Sequence, residues 1–280
     1  MAKRFLEAGF ELTVFDTNIE AVENVVKAGG RAARNPKEVA ESADFVITSL
    51  PNDAVVEDVY LHEDGLVAGG RKGQTFIEMS TITHDTSRKI AKMAEQKGID
   101  WLDAPVFGGP PLCGKWTLPV GGKKEVLEKS RKVLEQVAER IFLIGGPGCG
   151  HITKVCNNIL TGVNMASVSE VMTLAAKLGV NPRKVQEAIA NSPSAGNSTT
   201  LSKYFEWTLK RDFKPRFYLD LMYKDLDLGA ALARECKMPL LLGSAALQAF
   251  EIARAKGLGR DNVNAIIKIY EEWSQAEVRG

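Results

Sequence analysis

Gly145-Gly146-Pro147-Gly148-Cys149-Gly150-His151-Ile152-Thr153-Lys154-Val155-Cys156-Asn157-Asn158 divides this chain into two halves of different pattern. Ahead of it, short apolar runs alternate with amphipathic stretches. Behind it, the pattern is almost wholly helical, with breaks near residues 191–197, 212–215 and 237–239. The glycines read as a turn that opens a helix, on which Lys154 and Asn158 stand four residues apart on one face. A lysine on a rigid helix beside an amide suits proton transfer in an alcohol–ketone couple. An ordinary helix start with a solvated lysine fits the spacing equally well.

Working outward, the first half predicts a series of strands and helices. A helix over residues 2–8 stops at Gly9. Residues 11–16 follow as a strand and 19–27 as a helix, and Asn35 caps a helix over 36–42. Residues 44–50 form a nearly continuous apolar run of the kind buried in parallel sheets. Helices are expected over 54–61, 85–97 and 123–137, and strands over 75–79, 100–105 and 141–144. Such alternation implies an α/β, Rossmann-like doubly wound parallel sheet, followed by an all-α domain. We expect a dinucleotide-binding domain over residues 1–147 and a helical domain over 148–280.

The chain has 280 residues, 45% of them apolar, enough to bury the cores of two domains. Its net charge is +1, from 36 basic and 35 acidic residues, so no bulk field recruits nucleic acid or an anionic membrane. No apolar run approaches the roughly 18 residues that would suggest a bilayer span, and no targeting segment is expected ahead of the first helix. Cys113, Cys149, Cys156 and Cys236 form no C-x-x-C pair. They read as buried, reduced thiols, and a cytoplasmic location is expected. His62, His84 and His151 lack metal-ligand spacing, and no metal is expected.

Asp16 ends the strand that follows the first helix. In a dinucleotide-binding sheet an acid there accepts from the adenosine ribose hydroxyls and repels a 2′-phosphate, which favours NAD over NADP. A helix cap is the plainer role. The matching G-x-G-x-x-G turn would stand roughly 20 residues earlier, before Met1, and the chain contains none. We expect the numbering to start at an internal methionine, with a strand and that turn ahead of it. The sequence as it stands is expected to be poorly stable and to bind dinucleotide weakly.

Gly148-x-Gly150-x-x-x-Lys154-x-x-Asn157-Asn158 resembles the catalytic signature of the β-hydroxyacid dehydrogenase family, and within it the 3-hydroxyisobutyrate dehydrogenase branch. The resemblance runs from Met1 almost to the C-terminus. Asp103-Ala104-Pro105-Val106-Phe107-Gly108-Gly109 resembles the family's substrate loop, and Glu78-Met79-Ser80-Thr81 the strand end that faces the nicotinamide. Leu50-Pro51 resembles the turn beside the cofactor, and Lys224-Asp225-Leu226 a helix that completes the site.

The resemblance implies hydride transfer between NAD and a small 3-hydroxy acid, or the matching semialdehyde, in a homodimer or homotetramer. It makes Lys154 the general acid/base, with Asn158 orienting the lysine or the substrate hydroxyl. Gly108 and Gly109 would offer their amides to a substrate carboxylate. Asp16, Leu50, Pro51, Ser80, Thr81 and Lys224 would line the cofactor; a helix cap is the plainer role for Ser80 and Thr81. Where the family usually has a serine, this chain has Phe107, and residues 110–117 also depart from its small-residue pattern. Both changes suggest a reshaped, more apolar substrate pocket. Two other readings stand beside this one: a glyoxylate or succinic semialdehyde reductase, and a non-catalytic binding or scaffold protein.

Overall fold

The computed structural model of the chain describes Met1–Gly280 except Ser194, Gly196 and Asn197. The expected break at residues 191–197 therefore falls partly outside the described residues. Two compact units are present, Met1–Lys154 and Val155–Gly280.

In the first unit the elements run α1 (Ala2–Glu7), β1 (Thr13–Val14), α2 (Ile19–Lys27), β2 (Arg31–Ala32), α3 (Pro36–Ser42) and β3 (Phe45–Thr48). They continue as α4 (Asp53–Leu61), α5 (Leu66–Gly69), β4 (Thr75–Glu78), α6 (His84–Gln96), β5 (Asp100–Asp103), β6 (Trp116–Gly122), α7 (Lys124–Leu134) and β7 (Ala138–Gly145). Asn18, Asn35, Asn52 and Thr83 each cap a helix by accepting from an amide three residues on.

β1 and β2 pair in parallel as a small sheet, and β3-β4-β5-β6-β7 form a larger one. Among the described residues the two sheets share no ladder. β3, β4 and β5 are parallel, whereas β6 runs antiparallel to β5 and parallel to β7. The sheet is thus mixed at one side, and β6 is a strand that the sequence pattern did not suggest. Pro119 and the pair Gly121-Gly122 hide it, because proline cannot donate to a ladder. Within β6, only Gly121 and Gly122 pair with β5, so Pro119 lies where β6 has β7 alone beside it.

Side chains from the larger sheet alternate between two cores. β4 sends Phe76 into a cluster with Tyr60, Ile90 and Trp101, and Ile77 into one with Leu118, Leu127 and Leu134. Helices α4 and α6 cover the first face and α7 the second, which is the doubly wound arrangement.

The second unit is helical. α8 (Cys149–Lys177) begins in the first unit, and α9 (Pro182–Ala190), α10 (Phe205–Leu209), α11 (Leu219–Glu235), α12 (Leu241–Ala255) and α13 (Ile267–Ser274) follow. α8 and α11 approach closely where each has a glycine: Gly162 lies against Leu226, and Gly229 against Ile159. By length and composition α8 alone among the described helices could cross a bilayer, which corrects the expectation of no such run. Its buried residues include Asn158, Ser169 and Thr173 together with Met165 and Met172, so it reads as the core helix of this unit. The four cysteines are free and none is buried, which corrects the expectation of buried thiols: Cys113 and Cys149 are half-buried, and Cys156 and Cys236 are exposed.

Phe76 is fully buried and meets Tyr60 edge to face at 5.8 Å. Phe76→Ala should cost about 3–5 kcal/mol, read as a lower midpoint in chemical unfolding.

Candidate active site

The last residues of three parallel strands stand in register: Thr48 of β3 opposite Glu78 of β4, and Glu78 opposite Asp103 of β5. Polar groups thus line the carboxyl ends of the strands, where open α/β sheets bind their ligands. All three residues are buried.

Asp103 is the hub. Its Oδ1 accepts from the Gly148 amide at 2.7 Å and its Oδ2 from the His151 amide at 3.1 Å, with the Gly150 amide a third donor. A buried carboxylate therefore caps the start of α8, where unsatisfied amides and the helix dipole favour negative charge. Burial pushes this carboxyl above the ordinary aspartate range, and the amides oppose the rise. The contact needs glycine on the helix: a Cβ at Gly150 would lie 2.7 Å from the Asp103 carboxylate and 2.6 Å from the Pro119 carbonyl.

One turn into α8, Lys154 donates to the Val106 carbonyl at 2.9 Å, and its ammonium lies 5.8 Å from the centre of the Phe107 ring. A ring face at this distance attracts a cation. Phe107 is itself fixed, because its backbone exchanges hydrogen bonds with Thr117 across an isolated antiparallel bridge. Gly108 has φ +124°, a left-handed conformation that suits glycine. Trp116 Nε1 donates to the Gly109 carbonyl at 3.0 Å. The loop that should hold substrate and the lysine that should move its proton are therefore joined to one helix start.

His151, also at the head of α8, is fully buried, and burial pushes its imidazole down to about 3. It stays neutral near neutral pH.

At the ends of β3 and β4, the Leu50 amide donates to Ser80 Oγ at 2.7 Å, which binds the turn carrying Pro51 to the end of β4. Ser80 and Thr81 do not cap α6, because Thr83 does so and both its amide and its hydroxyl donate to Asp53. Asp16 is exposed, and one of its oxygens accepts from the Asn18 amide at 2.8 Å. An exposed carboxylate at the end of β1 fits the ribose of a dinucleotide.

In the second unit, Asn158 is buried with both ends of its amide engaged. Its Nδ2 donates to Asp225 at 2.5 Å and its Oδ1 accepts from Asn157 Nδ2. The Lys224 ammonium lies 3.2 Å from the other Asp225 oxygen. Asn158 and Lys224 thus meet through a buried acid, Asp225, that the residue pattern did not single out. Asp103 and Glu78 were likewise quoted only as parts of longer stretches. Their signal was a charge closing a short strand just after two apolar residues.

Residues 1–145 match the family model described as the NAD binding domain of 6-phosphogluconate dehydrogenase. Residues 148–270 match the NAD-binding domain of NADP-dependent 3-hydroxyisobutyrate dehydrogenase. The 2-(hydroxymethyl)glutarate dehydrogenase of Eubacterium barkeri is 36% identical over 100% of this chain and 93% of its own. The chain belongs to the β-hydroxyacid dehydrogenase family. As a family member it is an oxidoreductase with an NAD(P)-binding domain.

Another member, the 3-hydroxyisobutyrate dehydrogenase of Pseudomonas aeruginosa, is 35% identical over 96% of this chain and 94% of its own. Among solved structures, the Mycobacterium tuberculosis 3-hydroxyisobutyrate dehydrogenase with L-serine superposes with a TM-score of 0.88 at 30% identity. It covers 96% of this chain and 93% of that one.

Gly150→Ala should cost about 1–3 kcal/mol of stability, because both the carboxylate and the carbonyl facing it are rigid. A second expectation concerns pH. Burial pushes Glu78 up to about 7, against hydrogen bonds from Ser80 and Thr48. A carboxyl raised in the folded state binds protons more tightly there than when unfolded. Its contribution is present below the unfolded value of 4.5 and is lost as pH rises through about 7. The melting temperature should fall across that window, and less steeply in Glu78→Gln.

Proposed function

We propose that this family member oxidises a small 3-hydroxy acid to the corresponding semialdehyde, or runs the reverse reaction, with NAD as cofactor. The position of Lys154 carries this reading: its ammonium is held by the Val106 carbonyl and the Phe107 ring beside the Gly108-Gly109 turn. When bound, the nicotinamide supplies the hydride acceptor. As the free amine, Lys154 takes the hydroxyl proton as general base, and as the ammonium it returns that proton in the opposite direction. Asn158, anchored by Asp225, keeps its place one turn further along the same helix. The backbone amides of Gly108 and Gly109 approach the substrate carboxylate.

Asp16, with Leu50, Pro51, Ser80, Thr81 and Lys224, holds the cofactor. An exposed carboxylate at the ribose end supports NAD over NADP, since it would repel a 2′-phosphate. Phe107 offers no hydrogen bond where the resemblance leads one to expect a serine. It supports a 3-hydroxy acid whose substituent is more apolar than that of 3-hydroxyisobutyrate.

Lys154→Ala should lower kcat/KM by about two to four orders of magnitude while leaving the circular dichroism spectrum and NADH affinity near the parent values. Equal turnover in the variant and the parent would refute the role of Lys154. A panel of 3-hydroxy acids graded in side-chain size locates the substrate, and Phe107→Ser should shift preference toward the more polar members.

We also propose that the chain forms a homo-oligomer through α8. Leu160, Val171, Leu174 and Leu178 are all exposed, the last at 72%. At 100° per residue Leu160, Val171 and Leu174 share one face of α8, with Leu178 just past the helix end. Exposed apolar side chains grouped on one helix face suit an interaction surface. Leu174→Glu combined with Leu178→Glu should reduce the mass measured by light scattering toward the 30.5 kDa of a single chain. An unchanged mass would place the interface elsewhere.

A further inference from the structure

Beneath the two turns assigned to the cofactor lies a buried carboxylate with no part in the proton transfer. Glu78 closes β4 and is fully buried. Its Oε1 accepts from the Ser80 amide at 2.5 Å, and its Oε2 accepts from the Thr48 hydroxyl at 2.5 Å. Thr48 has a single hydroxyl hydrogen, which goes to Glu78, so the Tyr60 hydroxyl 2.7 Å away donates to Thr48. A one-way chain results: Tyr60 to Thr48 to Glu78.

Beyond Glu78 the linkage continues through backbone. The carboxylate fixes the Ser80 amide, and the Ser80 hydroxyl fixes the Leu50 amide. One side chain thus ties together the ends of β3 and β4 and the turns that follow them.

We propose that Glu78 is a positioning residue for the dinucleotide, which its ionised form grips by holding the 50–51 and 80–81 turns in register. The proposal rests on the reading that these turns flank the cofactor. Both groups that face the carboxylate donate to it, and a charged acceptor holds each about twice as strongly as a neutral one. A proton on Oε2 turns the hydroxyl chain round, with Glu78 donating to Thr48, and leaves the Ser80 amide on a neutral carbonyl.

The titratable groups that bear on Glu78 are Tyr60 from α4 and Asp103 from β5; β3 presents Thr48. Burial raises the Glu78 carboxyl to about 7, and the Asp103 charge adds to the rise. The change from grip to release therefore falls in the neutral range, with tight binding on the alkaline side.

The test uses the full chain, with NADH as the probe. NADH affinity is followed by fluorescence across the neutral range. In the absence of dinucleotide, amide hydrogen exchange at Leu50 and Ser80 is followed over the same range, corrected for intrinsic rates. In the parent, both amides should lose protection and the NADH Kd should rise about tenfold as pH falls through the transition. Glu78→Gln should show the weakened state at every pH, with kcat at saturating NAD within about twofold of the parent.

Thr48→Val keeps the carboxylate but removes a donor that favours its charged form. It should move the midpoint of both profiles to higher pH, an effect that general destabilisation would not produce. This variant carries the test if Glu78→Gln does not fold. Parent-like profiles in the folded variants would overturn the proposal. So would amide protection that follows Glu78 while NADH affinity stays unmoved. A chain that binds NADH in this pH-dependent way yet oxidises no hydroxy acid would uphold the proposal and sink the functional reading.

Discussion

A single buried carboxylate, Asp103, sets the geometry on which the rest of the site depends. It ends β5 and receives the amides of Gly148 and His151 at the head of α8. Neutralising unsatisfied helix amides with a fixed negative charge contributes about 0.5–2 kcal/mol, and it offsets part of the cost of burying the charge. The larger consequence is directional. A helix capped from the sheet must start where the strand ends, and its first turn must carry glycine to fit there. Gly121 of β6 meets the same constraint, since a side chain at that position would also run into the carboxylate. Lys154 then reaches the carbonyl of Val106, only three residues beyond the cap. The place of Lys154 beside the 106–109 loop is thus set by the backbone at the helix head.

Much of this could be read from the sequence because local signals and tertiary need agree. Asn35 before Pro36 marks a helix start by itself, and α3 spans the expected residues. The apolar runs that became β3 and β4 lie within the expected ranges. Where the reading fell short, a long-range contact had overruled a local rule. β6 contains Pro119 and two glycines, which argue against a strand until β7 is seen beside it. Thr83 takes the capping role that sequence position suggested for Ser80 and Thr81, because Asp53 from α4 fixes it there.

The site shows the same division. Lys154 was conspicuous because glycines precede it at helix-opening spacing, and those glycines are where Asp103 binds. The partners of the named residues were hidden, because pairing across strands and helices leaves no trace in local spacing. Asp225 lies 67 residues from Asn158, and Thr48 lies 30 from Glu78. Asn158, recognised by position, depends on an acid recognised only by contact. Burial divides the ionisable groups by role as well. It makes His151 too weak a base to carry charge near neutrality, holds Glu78 near its midpoint there, and leaves Lys154 half-buried beside an aromatic face.

The most direct test of the central claim is turnover of a 3-hydroxy acid deuterated at its carbinol carbon, followed through the absorbance of reduced nicotinamide. The account predicts NAD-dependent formation of the reduced cofactor and a primary isotope effect on kcat/KM. The label should appear in the reduced dinucleotide. A folded protein that binds NAD but transfers no deuterium from any acid of the panel would contradict it.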